Sequence, residues 1–230
     1  MRRGIIRKGI ISILVIILFL LVYITSMKIH GLNERLHTLE FQKYNVYDKF
    51  PDQDVGEIHG NILSYVAGDS DDYSKDILNN REIRHLEDVR NTIKIMDILY
   101  YSLLIIFLVF LILLYRVDRS RFFYTLIDLF LYTGMIILLM SLIVSYLAIT
   151  DFDGFFTLFH RALFEEGTWV FSPDDTLIKL YPSAFFYDIT RFIFMSSLGY
   201  GIAFTLPGIF IGAKSFIAKY LKKKKPNNVK

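Results

Sequence analysis

Four stretches of the chain stay apolar for longer than a soluble helix requires: Gly9 to Met27, Ile98 to Tyr115, Leu126 to Ile149 and Ile189 to Ala213. At about 1.5 Å per residue, roughly 20 helical residues cross the hydrocarbon of a bilayer. The pattern therefore predicts an α-helical integral membrane protein with four transmembrane helices. Between the first and second spans, and again between the third and fourth, polar and apolar positions mix over Lys28 to Asp97 and Thr150 to Asp188. These two segments are expected to form a small cap. In the first, Asp54 followed by Glu57 has capping-box spacing and predicts a short helix from Val55 towards Val66. Gly68 to Asp72 reads as a turn, and His30 to Lys49 has no clear period. From about Ile77, the recurrence of Ile83, Leu86, Val89 and Ile93 predicts an amphipathic helix leading into the second span, with His85, Asp88 and Val89 on one face. In the second segment, Trp169-Val-Phe and Thr176-Leu-Ile-Lys-Leu flank Ser172-Pro-Asp-Asp, which predicts a β-hairpin and thus some β-structure in the cap.

Charge orients these elements. Arg2, Arg3, Arg7 and Lys8 precede the first span, Arg116, Arg119 and Arg121 fill the middle loop, and Lys222 to Lys225 follow the fourth. The positive-inside rule places those regions, and both termini, in the cytoplasm. The cap segments carry 21 acidic and 11 basic residues, as an exterior location requires. The expected organisation is 1–27 (N-terminus and first span), 28–97 (cap), 98–115 (second span), 116–125 (cytoplasmic loop), 126–149 (third span), 150–188 (cap), 189–213 (fourth span) and 214–230 (basic tail facing anionic inner-leaflet lipid). The first span has the basic start of a signal peptide, but its apolar run is long and no A-x-A-like site follows, so it is expected to remain. Asp128 is expected to pair with the middle-loop arginines. Arg191, two residues inside the fourth span, either faces a polar cavity or snorkels. Gly208 and Gly212 have the spacing that lets helices approach closely, a weak signal in an apolar span.

With no cysteine among 230 residues, thiol catalysis and disulfides are excluded. The five histidines lack metal-ligand spacing, so a metal site is not expected. Gly68-Asp-Ser-Asp has the letters of one lipase motif but lies in an acidic turn without the leading strand that motif needs. All five histidines fall in the cap segments. His160 stands out, because Phe152 to Tyr187 surrounds it with eight phenylalanines, Trp169 and two tyrosines. Aromatic area of that kind suits a greasy substrate at a membrane interface, or simply an interfacial anchor. His85 and His160 both sit close to the outer end of a span, and imidazole is suited to proton transfer near neutrality. From residue types alone, packing in a cap accounts for both histidines at least as well.

The run Leu158-Phe-His-Arg-Ala-Leu-Phe-Glu-Glu-Gly-Thr-Trp-Val-Phe171, continuing through Asp175 to Pro182 and on to Phe185-Phe186, resembles the lipoprotein intramolecular transacylase family, Lit. His85-Leu-Glu-Asp88-Val and the four-span layout are similar to it as well. The resemblance implies catalytic histidines at His85 and His160 and no metal or cofactor. It also implies the reaction: an acyl chain moves from the glycerol sn-2 oxygen of a diacylglyceryl lipoprotein to the amino group of its N-terminal cysteine, leaving a lyso-form lipoprotein. One histidine would take the amine proton while the other supports the oxyanion and the leaving oxygen, in either order. Phe159, Arg161, Phe164, Trp169, Phe171 and Arg191 would support the site or bind substrate, and Asp88 would orient His85. The expected partners are a diacylated bacterial lipoprotein and membrane lipid, with no nucleic acid. Two other readings remain open: a non-enzymatic membrane protein that binds exported protein or lipid through its aromatic cap, and a histidine-dependent lipid or lipoprotein hydrolase.

Overall fold

The structure, a computed structural model, describes residues 2–165 and 167–224, except the side chains of 2–3 and 215–224. The side chains of Arg2, Arg3 and Lys222–Lys225 therefore lie outside the described part. Among the described residues eight α-helices follow one another: α1 (Arg2–Gly31), α2 (Glu34–Lys43), α3 (Val55–Ala67), α4 (Asn80–Val117), α5 (Phe122–Thr150), α6 (Phe152–Leu163), α7 (Thr176–Leu180) and α8 (Ser183–Lys224). Among the same residues four stretches, Gly4–Gly31, Asn80–Val117, Arg119–Thr150 and Ser183–Lys214, are long and apolar enough to cross a membrane.

The spanning helices outrun the apolar sequence. At 38 residues α4 is about 57 Å long, nearly twice a hydrocarbon core. Its first half carries Arg81, Glu82, Arg84, Glu87, Asp88, Arg90, Lys94 and Asp97. Charges at that density are costly in lipid, whereas the run from Ile98 is apolar. The amphipathic stretch and the apolar run after it are thus one continuous helix.

The chain divides into two compact units. One comprises the chain up to Val22, Leu103–Ser141 and the chain from Ser197. Its core is formed by Ile10, Leu14, Val15, Leu114 and Leu129, of which Leu14, Leu114 and Leu129 have no exposed surface. Arg7 reaches Asp118 at 3.1 Å, and the Thr125 hydroxyl donates to the same carboxylate at 3.2 Å. Asp118, not Asp128, is therefore the acidic partner of a basic residue here. Asp128 is exposed and makes no ion pair among the described residues, because its position turns it away from the helix contacts that bury Thr125 and Leu129. Helices α5 and α8 approach closely through glycines. A Cβ on Gly134 would lie 2.7 Å from the Gly201 carbonyl oxygen, and one on Gly208 would lie 2.9 Å from the Leu131 Cβ. Gly212 has nothing within 4 Å, so the expected Gly208/Gly212 pair is only half used.

The other unit comprises Tyr23–Ser102 and Leu142–Ser196. Its core gathers Phe41 and Val46 with Ile58 and Ile62 of α3, Leu86 of α4, Leu177 and Leu180 of α7, and Phe185 of α8. Helix α3 begins as its sequence predicts, with Asp54 Oδ1 accepting the Glu57 N–H at 3.1 Å. The stretch without a clear period contains α2, capped by Asn33 and burying His37, Glu40 and Phe41.

The β-hairpin does not form, and there is no strand among the described residues. Leu177 and Leu180 are both buried, and a separation of three puts them on one side of a helical turn rather than on opposite faces of a strand. The Leu177 N–H is taken by the Glu82 carboxyl at 2.7 Å, which removes it from any strand ladder. Thr176–Leu180 is therefore helical, and the cap is all-α where it is described.

A Gly134→Val protein is expected to lose about 1–3 kcal/mol, because the Gly201 backbone cannot move aside for a side chain. Gly212→Ala should leave stability unchanged. Thermal unfolding of both variants in the same detergent checks this.

Candidate functional site

The second unit contains a second clasp, and it fixes the end of α4. Asn79 and Glu82 form a capping box: Asn79 Oδ1 accepts the Arg81 and Glu82 N–H groups at 2.9 and 3.1 Å, and Glu82 Oε2 accepts the Asn79 N–H at 2.8 Å. The other oxygen of Glu82 accepts the Leu177 N–H, so one fully buried carboxyl ties α4 to the start of α7. Around it, Asn79 Nδ2 donates to Asp175 Oδ1 at 2.9 Å, and the Thr176 hydroxyl donates to the Ile77 carbonyl at 2.7 Å. Asp175 also takes the Ser172 N–H at 2.7 Å, which closes the Ser172–Asp175 turn. His85 lies one helical turn after Glu82 and inherits this fixed position.

His160 arrives from the other segment. Helix α6 is capped by Asp151, whose Oδ1 accepts the Gly154 N–H at 2.9 Å. Phe152, Phe156 and His160 recur every four residues and so share one face. Along that face the Phe156 ring packs at 5.3 Å on Phe186 and Phe152 at 5.3 Å on Tyr187, both in α8. After Leu163 the helix stops. Gly167, at φ 89°, holds a left-handed conformation that few other residues adopt cheaply, and the chain reverses there. The reversal brings Trp169 back against His160 and Phe171 against His85.

The two imidazoles lie nearly parallel, with ring centres 6.0 Å apart and planes at 27°. Phe164 touches both, at 5.0 Å from His85 and 5.5 Å from His160. Phe171 stands 5.4 Å from His85, while Trp169 and Phe156 stand 5.0 and 4.0 Å from His160. His160 Nδ1 donates to the Phe156 carbonyl at 2.8 Å. A carbonyl can only accept, so Nδ1 carries the proton and the neutral ring presents its lone pair at Nε2. Burial pushes the His160 pKa down, against a smaller upward push from that hydrogen bond. His85 is pushed down to about 4, by burial and then by the neighbouring His160. Both rings are therefore neutral at pH 7. His85 Nδ1 and Trp169 Nε1 are enclosed and have no hydrogen-bond partner among the described residues.

A model of the family described as lipoprotein intramolecular transacylase Lit matches residues 10–186. The chain belongs to the Lit family. Among solved structures, the membrane integral lipoprotein intramolecular transacylase Lit from Bacillus cereus superposes with a TM-score of 0.77 at 19% identity, over 93% of this chain and 99% of that one. The same protein carrying a histidine-to-alanine mutation gives 0.73 at 17% identity, over 93% and 97%. At those identities the likeness is one of fold. A protein of Aquifex aeolicus described as uncharacterized is 33% identical over 130 residues, which cover 56% of this chain and 56% of that protein. The chain thus spans about half the length of that curated relative.

Against the expected Lit site, the structure brings His85, His160, Phe164, Trp169 and Phe171 together, with Phe159 beside His160, and leaves Arg161, Asp88 and Arg191 apart. Phe159 is beside His160, at 5.4 Å, but is partly exposed on the outer side of α6. Arg161 is exposed and has no partner at the site among the described residues. Asp88 makes no hydrogen bond to His85, whose Nδ1 has no partner among the described residues. Arg191 is half-exposed and lies 3.8 Å from Asp188, which is also bound by Lys43 and, at 2.5 Å, by Tyr44. Its neighbours are thus an ion-pair cluster of α2 and α8, not the histidines. Sequence reasoning missed Phe156 and Glu82, although the Asn79-x-x-Glu82 capping box was there to be read. Two further histidines, His37 and His59, pack 5.2 Å apart in the core, with His59 Nδ1 2.9 Å from the Tyr181 hydroxyl. No group of three His, Cys, Asp or Glu residues that could hold a metal occurs among the described residues.

Two measurements follow. Glu82→Gln replaces one acceptor of the clasp with a donor and leaves a buried N–H unpaired, so it should cost about 1–3 kcal/mol of stability. Differential scanning against the parent protein checks it. Trp169 is the chain's single tryptophan, so its fluorescence should report protonation of the adjacent His160. The transition should have its midpoint below the ordinary histidine value of 6.5 and vanish in His160→Asn. A midpoint at or above 6.5 would contradict the buried, neutral ring.

Proposed function

We propose that this chain is a lipoprotein intramolecular transacylase that moves the sn-2 acyl group of a diacylglyceryl lipoprotein to the α-amine of its N-terminal cysteine. Membership of the Lit family supports the reaction class. The observation that carries the chemistry is the pair of neutral histidines from two different segments, packed 6.0 Å apart inside an aromatic enclosure. We place that enclosure on the extracytoplasmic side of a bacterial cell membrane, with residues 28–97 and 150–188 outside and both termini in the cytoplasm.

The tautomer supports one division of roles. His160 Nε2, with Nδ1 held by Phe156, takes a proton from the amine as its nitrogen attacks the ester carbonyl carbon. A free α-amine has a pKa of about 7.7–8.0, so a base as weak as imidazole suffices. The tetrahedral intermediate then collapses, the bond to the glycerol sn-2 oxygen breaks, and the proton held by His160 passes to that oxygen. His85, neutral at pH 7, offers an N–H to the leaving oxygen as its charge develops. The products are an amide and a free hydroxyl, with no net proton, water or cofactor consumed. Phe156, Phe164, Trp169 and Phe171 hold the acyl chain and fold one substrate back on itself, so amine and carbonyl reach attack distance of about 3–3.5 Å.

His160→Ala in the purified full chain is expected to lower transacylation of a synthetic diacylated lipopeptide by at least roughly 10²-fold, and His85→Ala to lower it as well. Mass spectrometry of the product distinguishes the outcomes. An unchanged mass with the acyl group on nitrogen supports the proposal. Loss of one acyl chain from the peptide would instead mean hydrolysis, and near-normal transfer by either variant would refute the two-histidine mechanism.

A further inference from the structure

We propose that the indole N–H of Trp169 is the oxyanion donor of this site, which makes Trp169 a catalytic residue and not only a wall; this rests on the transacylase reading above. The reaction needs such a donor. When the amine attacks, an electron pair moves from the carbonyl double bond onto oxygen, and the resulting alkoxide must be stabilised where water is excluded. His160 cannot serve. Its Nδ1–H is committed to the Phe156 carbonyl, and its Nε2 is the base.

Trp169 Nε1 has the properties required. It is enclosed by protein and donates to nothing among the described residues. A buried donor left unpaired costs about 1–3 kcal/mol, so such groups are rare in folded proteins unless something else binds them. The ring that carries it is centred 5.0 Å from His160, inside the same enclosure as the base. Phe156, Phe164 and Phe171 already supply apolar surface on the other sides. For packing alone a fourth phenylalanine would avoid the unpaired N–H. Trp169 lies outside the helices, and its ring contacts the His160 ring directly. An N–H in that place is ready for an acceptor that exists only once the carbonyl is attacked. In collapse, the electron pair returns to the carbonyl, the glycerol oxygen leaves with the proton from His160, and the indole keeps its own proton throughout.

Because the chain has a single tryptophan, the N–H can be removed with the ring left in place. The full-length protein is made with L-3-benzothienylalanine, whose sulfur replaces the N–H at nearly the same shape, and as Trp169→Phe. Each is assayed with a diacylated lipopeptide, and its melting temperature and the pH dependence of kcat/KM are recorded. Both proteins are expected to lose kcat on the order of 10²-fold, with KM within about threefold of the parent and the acidic limb unmoved, because His160 is untouched. If the benzothienyl protein keeps its kcat within about twofold, the N–H is not used and the inference is overturned, whatever Trp169→Phe does. A shift of the acidic limb would also overturn it, since Trp169 would then be acting through His160. Parallel assays of His85→Ala and His160→Ala keep the two levels apart: activity surviving there refutes the two-histidine reading, whereas activity surviving only in the benzothienyl protein refutes the oxyanion role alone.

Discussion

A carboxyl group sealed from water must find its donors inside the protein, and Glu82 finds them on two segments 95 residues apart. One oxygen closes the capping box that starts α4, and the other holds the first turn of α7. Because His85 follows Glu82 by one turn, and Trp169 and Phe171 precede α7, this contact sets both sides of the enclosure. The flanking bonds of Asn79, Thr176 and Asp175 reinforce it, but they lie nearer the surface. A small cap with no disulfide and no described metal site has few other ways to hold two segments in register.

The enclosure then dictates the protonation states on which the chemistry depends. Ionised imidazoles would be poorly solvated among phenylalanines, so burial pushes His160 below the ordinary histidine value and His85 down to about 4. A neutral ring is a usable base, and a fixed Nδ1–H leaves one nitrogen to act as that base. The same burial that makes the rings neutral also provides apolar surface for an acyl chain. His37 and His59 show the contrasting case: burial lowers them to about 4 and about 3, but they pack against Phe41 and Tyr181 in the middle of the core. A depressed histidine alone therefore marks burial and not a base, since His37 and His59 also keep one ring nitrogen without a partner among the described residues.

The four spans were legible because lipid demands long, uninterrupted apolar runs, which a sequence displays directly. Their ends were less so, since α4 extends as a helix through charged sequence where packing of Ile83, Leu86, Val89 and Ile93, and not hydropathy, sustains it. The helix at Val55 was readable from its Asp54 cap. The hairpin was misread because a polar turn between two apolar runs looks alike whether the second run is a strand or a short helix; only the three-residue spacing of Leu177 and Leu180, and the backbone bond to Glu82, decide it. At the site, the resemblance pointed to His85 and His160, and the structure adds their tautomer and neighbours. Asp88 looked like a partner for His85 because a separation of three permits contact on a helix without requiring it. Asp128 is expected to meet the middle-loop arginines because it lies close to them at the start of an apolar run, yet it faces outward and Asp118 is the carboxylate that Arg7 reaches.

The central claim is that the acyl group moves within one bound substrate, folded back on itself between two histidines. A crossover experiment tests it most directly: two diacylated lipopeptides, one carrying a deuterated sn-2 chain and a different peptide mass, are incubated together with the purified protein and analysed by mass spectrometry. The account predicts that each peptide keeps its own acyl chain, now on nitrogen, with total mass unchanged. Label appearing on the other peptide, or released as free fatty acid, would contradict it.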